Sequence, residues 1–290
     1  MPSPSRPIER AKPLLGTIVR IRVEGLPADL AHQAISGAFR AVEDIHRRMS
    51  FHDPASELSR LNRDAWRTPV TVSEHTRTVL KKAVEIARAS EGLFDPTVAP
   101  ALVLAGLIPA PDHKRPDPTS SWRDIMLGPD GAVAFERPLW IDLGGIAKGY
   151  AVDCAVAWLG RFAPVRVCVE AGGDLRLTGP GAERVHLAAP QADGAIPVLD
   201  VEDAAVASSG RAPSCEAAKR LISPHIDPRT KSSRSDDRFA TVVAPRCIEA
   251  DALTKVVMAA GEAAAPVLAR YRAQAFLLDD DRWSSLAEAA

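Results

Sequence analysis

The hydrophobic period changes along this chain in an order that restricts what it folds into. Residues 16–24, GTIVRIRVE, alternate apolar and charged side chains at period two, the pattern of a half-buried strand. Leu30, Ala34, Ala38, Val42, Ile45 and Met49 then recur every three or four residues, which predicts a long amphipathic helix over Ala28–Met49. Ser73 is placed to cap a further helix with Val79, Leu80, Val84 and Ala87 on its inner side, and Gly92 stands where a helix stops. Later, 139–143 reads as a strand, 147–162 as a helix and 165–170 as a strand, and short strands follow to Ser208. Helices over 249–260 and 263–273 precede a last strand over 275–278. Helices and strands do not alternate strictly, so an α+β fold is expected rather than a doubly wound parallel sheet.

Between these halves the run PAPDHKRPDP, 109–118, is rich in proline, which lacks a backbone donor and restricts its predecessor; it predicts an exposed connection or flap. The 290 residues allow one large domain or two small ones. With 36 basic and 37 acidic residues the net charge is near zero, so no broad basic field for nucleic acid follows. The start, MPSPSRPIERAK, holds no apolar stretch of signal-peptide length and no Cys to carry a lipid, and no later run reaches the apolar length of a membrane helix. A cytoplasmic protein without membrane insertion is expected. Cys154, Cys168, Cys215 and Cys247 stand far apart with no C-x-x-C pair, which argues for buried free thiols rather than zinc.

The strongest local feature is the segment 141–153, IDLGGIAKGYAVD: a strand end, two glycines and a helix start bearing Lys148. Glycine lets a backbone approach a ligand, a helix N-terminus offers N–H groups to an anion, and the lysine adds a full charge. On this segment alone a phosphate seat and a plain tight turn stand level. The pair Gly172-Gly173 in AGGD is weaker and reads equally as a hairpin turn. In EGLFDPT, 91–97, Phe94 offers a ring for stacking and Asp95 an acceptor for a ribose or base proton, against the commoner reading of a core Phe and an Asp-Pro turn. In HIDPRT, 225–230, His225 is placed to act as a general base and Arg229 to neutralise phosphate, against a surface turn. Asp251, Thr254 and Lys255 share a helix face at i, i+3 and i+4. A carboxylate with a hydroxyl is hard oxygen ligation suited to Mg²⁺ on a pyrophosphate. Lys255 leaves two alternatives open, an ordinary i,i+4 pair with Asp251 or an ammonium in the cation's place.

Together and in this order the motifs resemble the FAD:protein FMN transferases, the ApbE family. The likeness runs through LLGTIVRIRV, MSFHDPASELSRLN, EGLFDPTVAPAL, IDLGGIAKGYAVDCA, EAGGDLRLTG, ASSG, HIDPRT and EADALTKVVMAAG. It implies a single α+β domain over 13–290, with mixed or antiparallel sheets packed by helices, behind a disordered tail over 1–12. It implies FAD as substrate, Mg²⁺ as cofactor, and transfer of FMN to a threonine hydroxyl of a partner redox protein with release of AMP. By the same resemblance Leu93, Phe94 and Asp95 match the flavin-nucleotide contact loop, and Asp142 and Lys148 match FAD contacts. The backbone of Gly145 and the side chains of Asp251 and Thr254 match metal ligands. His225 and Ile226 fall in a nucleotide-contacting segment, with His225 and Asp251 as the expected catalytic residues.

Several positions depart from the family pattern. Leu15 stands at the Met of its M-G-T motif, His52 at a flavin-contacting Tyr, Ser208 at the Thr of T-S-G, and Lys231 at a Gly after P-R-T. Lys255 stands at a metal-binding Thr and sets a positive charge beside the expected cation. That keeps two readings beside transfer: an accessory protein that holds FAD, and hydrolysis of FAD to FMN and AMP.

Overall fold

The computed structural model describes residues 6–187, 197–210, 225–233, 238–280 and 282–286. Among them, eight strands form one antiparallel sheet whose spatial order follows the chain. They are Ile8–Leu14, Thr17–Glu24, Arg166–Ala171, Asp174–Thr178, Ala205–Gly210, Phe239–Ala244, Gln274–Asp279 and Arg282–Leu286. Period two does its work directly: Val19, Ile21 and Val23 face Ala171, Val169 and Val167 across one ladder, and all six are buried on the helix-covered side. A small three-stranded sheet, Val70–Thr71, Ala132–Phe135 and Ile125–Leu127, stands apart.

Among the described residues seven α-helices accompany the sheets: α1 (Ala28–Met49), α2 (Glu57–Asp64), α3 (Glu74–Ala89), α4 (Ala99–Leu104), α5 (Ala147–Leu159), α6 (Cys247–Ala260) and α7 (Ala265–Arg270). α1 packs on α5, and α5 on α6. α5 lies over Arg166–Ala171 and Asp174–Thr178, and α6 over Ala205–Gly210 and Phe239–Ala244. The sheet's other face carries a smaller cluster, Leu177, Val201 and Val206, beside the hairpin Glu183–His186 and Val198–Val201. α1 has the predicted bounds and buries the predicted residues Ala34, Ala38, Val42, Ile45 and Met49. Ser73 caps α3 by accepting from the Thr76 N–H. Glu57 fixes that cap in turn, accepting from Ser73 N at 3.0 Å, Ser73 Oγ at 2.8 Å and Arg48 Nη1 at 2.7 Å.

Two close approaches set the relation of α5 to α6. At Gly149 a Cβ would lie 2.2 Å from the Cys247 carbonyl oxygen, so only glycine admits this crossing. Four residues on, Asp153 of α5 supplies the cap that α6 lacks from its own N-cap residue, Arg246. Its two oxygens accept from Cys247 N at 3.1 Å and Ile248 N at 3.0 Å, and Arg176 Nη1 pairs with it at 2.6 Å.

Several sequence expectations need correction. Residues 8–12, assigned to a disordered tail, belong to the strand Ile8–Leu14; its IERAKPL lacks apolar alternation because it is an exposed edge strand. Residues 1–5 lie outside the described residues. Residues 139–143 form no strand: Asn62 takes the ladder's place, accepting from Ile141 N at 2.8 Å and donating to Ile141 O at 3.0 Å. The expected helix 263–273 is the shorter α7 preceded by a 3₁₀ turn, Gly261–Ala264. The strand expected to be last, Gln274–Asp279, is followed by Arg282–Leu286, whose RWSSL has no clear period. The run Cys247–Arg270 does have the length and apolar composition of a membrane span, but 61% of its most apolar window is buried inside this fold, as a core helix requires. Cys154, Cys168 and Cys247 are free thiols. Burial pushes Cys154 and Cys168 up to about 11 and Cys247 well up, so all three are poor nucleophiles at neutral pH. Cys215 lies outside the described residues.

Candidate functional site

The start of α5 is built by a turn that the sequence marks with two glycines. Asp142 Oδ2 accepts from Gly144 N at 3.0 Å, and the chain then enters α5 through Ile146, an N-cap with no side-chain cap bond. The loop 91–97 is tied to this turn by Asp142 N donating to Pro96 O at 2.8 Å. Inside the loop, Asp95 Oδ1 accepts from Thr97 N at 2.8 Å and Thr97 Oγ1 at 2.7 Å. Burial raises both Asp95 and Asp142 above the ordinary carboxylate value, more than these hydrogen bonds lower them. Phe94 is only 5% exposed and packs in the core, so its ring is not offered for stacking; Leu93 is half-buried beside it.

Where α5 meets α6, four charges interlock. Lys148 Nζ pairs with Asp174 Oδ2, and Asp174 Oδ1 is buried without a hydrogen-bond partner. Asp251, wholly buried, accepts from Gly149 N at 3.0 Å through Oδ2 and from Lys255 Nζ at 2.6 Å through Oδ1. Lys255 Nζ also donates to Ser209 Oγ at 3.1 Å, and Ser209 Oγ meets Thr254 Oγ1 at 2.7 Å. Thr254 Oγ1 donates back to Asp251 O at 2.7 Å. The stem of Lys255 runs past Gly145, where an added Cβ would come within 3.2 Å of Lys255 Cε.

Burial dominates the titration of these groups, and their mutual charges decide the sign. For Asp174, burial and the nearby Asp251 charge outweigh Lys148 and push the carboxyl up to about 6. Burial also opposes ionisation of Asp251, yet Lys255 and Lys148 hold it below the usual range. Lys148, which burial alone would lower, is raised by Asp251 and Asp174. The cluster therefore keeps two ammonium groups fixed on carboxylates at the foot of α5, whose first turn Asp251 caps through Gly149 N.

Gly145, Asp251 and Thr254 do come together, as the resemblance requires of metal ligands, but the residues present do not fit a divalent ion. Lys255 fills the space among them, and the Asp251 and Thr254 side chains are engaged in the bonds given above. An ammonium and a divalent ion about 4 Å apart repel by about 8 kcal/mol at an effective dielectric of about 20. Among the described residues no group of three or more His, Cys, Asp or Glu offers another cation cage.

The other expected residues lie on a separate hairpin, Ile226–Asp227 with Ser232–Ser233. His225 and Ile226 are half-buried at its start. The hairpin reaches α6 near its far end, by Arg229 Nη2 to Ala259 O at 3.3 Å, about 12 Å along the axis from Asp251. Lys231 ties it to the proline-rich connection through Nζ to Pro118 O at 2.9 Å, and its charge is felt at Asp95. Sequence reasoning missed Asp174, Ser209 and Asp153. Asp174 was in view behind its glycine pair, and Ser209 beside Ser208. Alternation separates the two serines: Ser208 bonds its cross-strand partner Thr241 at 2.9 Å, while Ser209 faces α6.

The fold recurs in known proteins. The model of the ApbE family matches residues 15–277. The FAD:protein FMN transferase of Vibrio cholerae serotype O1 is 28% identical over 277 residues, covering 89% of this chain and 83% of its own. That of Chlamydia pneumoniae is 29% identical over 242 residues, 78% of this chain and 75% of its own. The solved flavin transferase ApbE from Vibrio cholerae superposes with a TM-score of 0.82 at 26% identity, over 98% of this chain and 97% of that one. A family match across nearly the whole described fold, joined to the glycine turn, Lys148 and Asp251 in one cluster, makes this chain a member of the ApbE family.

Proposed function

We propose that this chain binds FAD and transfers its FMN half to a threonine hydroxyl of a partner redox protein, releasing AMP. The observation that carries the reading is the junction of α5 and α6, where Lys148 and Lys255 stand on buried carboxylates beside the glycine turn. Two fixed cations suit a pyrophosphate, and family membership supplies the flavin. In the proposed step the acceptor oxygen bonds to the phosphorus of the FMN half, and the P–O bond to the bridging oxygen breaks. AMP departs with that oxygen, and the hydroxyl proton passes to a base, for which His225 is the candidate. Asp142 and Lys148 are assigned to the phosphates, and the loop with Leu93 and Asp95, together with Ile226 of the hairpin, to the nucleotide. The core position of Phe94 gives it a part in holding that loop. Asp251 anchors Lys255 and, through Gly149 N, the start of α5.

A cytoplasmic setting is part of the proposal, supported by free thiols at Cys154, Cys168 and Cys247. The ion pair of Lys255 with Asp251 favours a second reading, flavin holding without transfer. One assay separates them: the purified protein is incubated with FAD and threonine-bearing redox proteins, with AMP release and acceptor mass followed. An acceptor heavier by FMN supports transfer, AMP alone supports hydrolysis, and retained FAD with neither product sinks the transferase reading.

A further inference from the structure

We infer that the Lys255 ammonium is this site's own cation, taking the pyrophosphate oxygens that a captured divalent ion would otherwise take. The inference rests on the flavin-nucleotide reading above. Three observations place the ammonium. Its Nζ lies 2.6 Å from Asp251 Oδ1 and 3.1 Å from Ser209 Oγ, an oxygen pair of the kind a hard cation collects. Its stem packs against Gly145, whose missing Cβ leaves room for it. Thr254, the remaining expected ligand, is turned to Ser209 and to the Asp251 carbonyl.

The side chain is held as a ligand-binding group would be. Asp251 is fully buried, while the side chain of Lys255 keeps 25% of its surface exposed, so the anchor is inside and the side chain reaches the surface. Lys148 is held likewise, on Asp174, with 31% of its side chain exposed. The two cations are thus oriented before any substrate arrives, and each ammonium keeps at least one N–H beyond the bonds given above to donate to a pyrophosphate oxygen. A tethered ammonium also cannot be removed by a chelator.

The test begins with Mn²⁺ alone, titrated by electron paramagnetic resonance into the full-length protein, Lys255→Thr and Lys255→Thr/Asp251→Asn. The wild type is expected to bind no stoichiometric Mn²⁺, with or without FAD. Lys255→Thr is expected to gain affinity for one Mn²⁺ by at least about tenfold, and the added Asp251→Asn to remove it. FAD binding, read by flavin fluorescence, is expected to be equal in EDTA and in millimolar Mg²⁺ for the wild type, and to require the divalent ion in Lys255→Thr. Lys255→Met, checked for folding by thermal melting, keeps the bulk without the charge and is expected to weaken FAD binding by at least about tenfold without gaining Mn²⁺ affinity. The inference is overturned by one Mn²⁺ per wild-type chain that Asp251→Asn removes, by wild-type FAD binding that EDTA abolishes, or by a Lys255→Thr protein that gains no Mn²⁺. Failure to bind FAD in every arm would sink the flavin reading and this assignment of the ligand, while the Mn²⁺ titration, which needs no flavin, would still report separately on the cation's place.

Discussion

Replacing Gly149 with alanine sets two effects of opposite sign against each other. In a helix interior the change ordinarily gains about 1 kcal/mol, because glycine loses more backbone freedom on folding. Here the new Cβ would lie 2.2 Å from the Cys247 oxygen, 2.6 Å from the Cys247 carbonyl carbon and 2.8 Å from Asp251 Cβ. Overpacking costs about 1–3 kcal/mol where side chains give way. Backbone of the first turn of α6 cannot swing aside, so the upper figure applies, and the net loss is about 2 kcal/mol. For a chain of this size that lowers Tm by about 4 °C. Gly160→Ala is the control: Gly160 ends the same helix at an ordinary φ of −56° and has no neighbour within 4 Å of an added Cβ. Calorimetry of both variants should show the first melting below wild type and the second at or slightly above it. A Gly149→Ala protein that melts at or above wild type would refute the close crossing of α5 and α6.

Asp153→Ala strips acceptors from Cys247 N and Ile248 N and a partner from Arg176, so urea unfolding should show a loss of about 3 kcal/mol, with Asp153→Asn recovering part of it. Equal midpoints for wild type and Asp153→Ala would contradict the cap. Lys148→Met should weaken FAD binding by at least about tenfold in a fluorescence titration; unchanged affinity would remove Lys148 from the phosphate site. Burial raises Glu57, but the nearby Thr76 hydroxyl and the bonds from Ser73 and Arg48 outweigh it and leave its value lowered. A lowered carboxylate stabilises the fold above its unfolded pKa of about 4.3, and that stability disappears as pH falls through the folded value. Stability should therefore fall more steeply with acid in wild type than in Glu57→Gln; identical slopes would rule out the network around Ser73.

Local signals were legible where one segment carries its own partner. The stripe from Leu30 to Met49 and the Ser73 cap need nothing beyond neighbours in sequence, and both stand where periodicity put them. Asp251 with Lys255 was readable as a pair because four residues bring them together on a helix. The rest depends on contacts that no local pattern encodes. Asn62 reaches across 79 positions to replace a strand partner at Ile141, which is why 139–143 looks like a strand in sequence and is not one in space. The pairing of Lys148 with Asp174 spans 26 positions and the capping of Ile248 by Asp153 spans 95, so the carboxylates that orient the site were invisible although their residues were in view.

One helix holds both sides of this site in register. α5 presents Lys148 near its start, and five residues later Asp153 grips the first turn of the helix that bears Asp251 and Lys255. The spacing between the two ammonium groups is therefore fixed by a short covalent run and a pair of charged hydrogen bonds, a gauge that bending of the sheet does not reset. The proline-rich connection and the hairpin joined to it by Lys231 take no part in that gauge. A change at Lys231 can then loosen that tie while the spacing of the two ammonium groups stays the same.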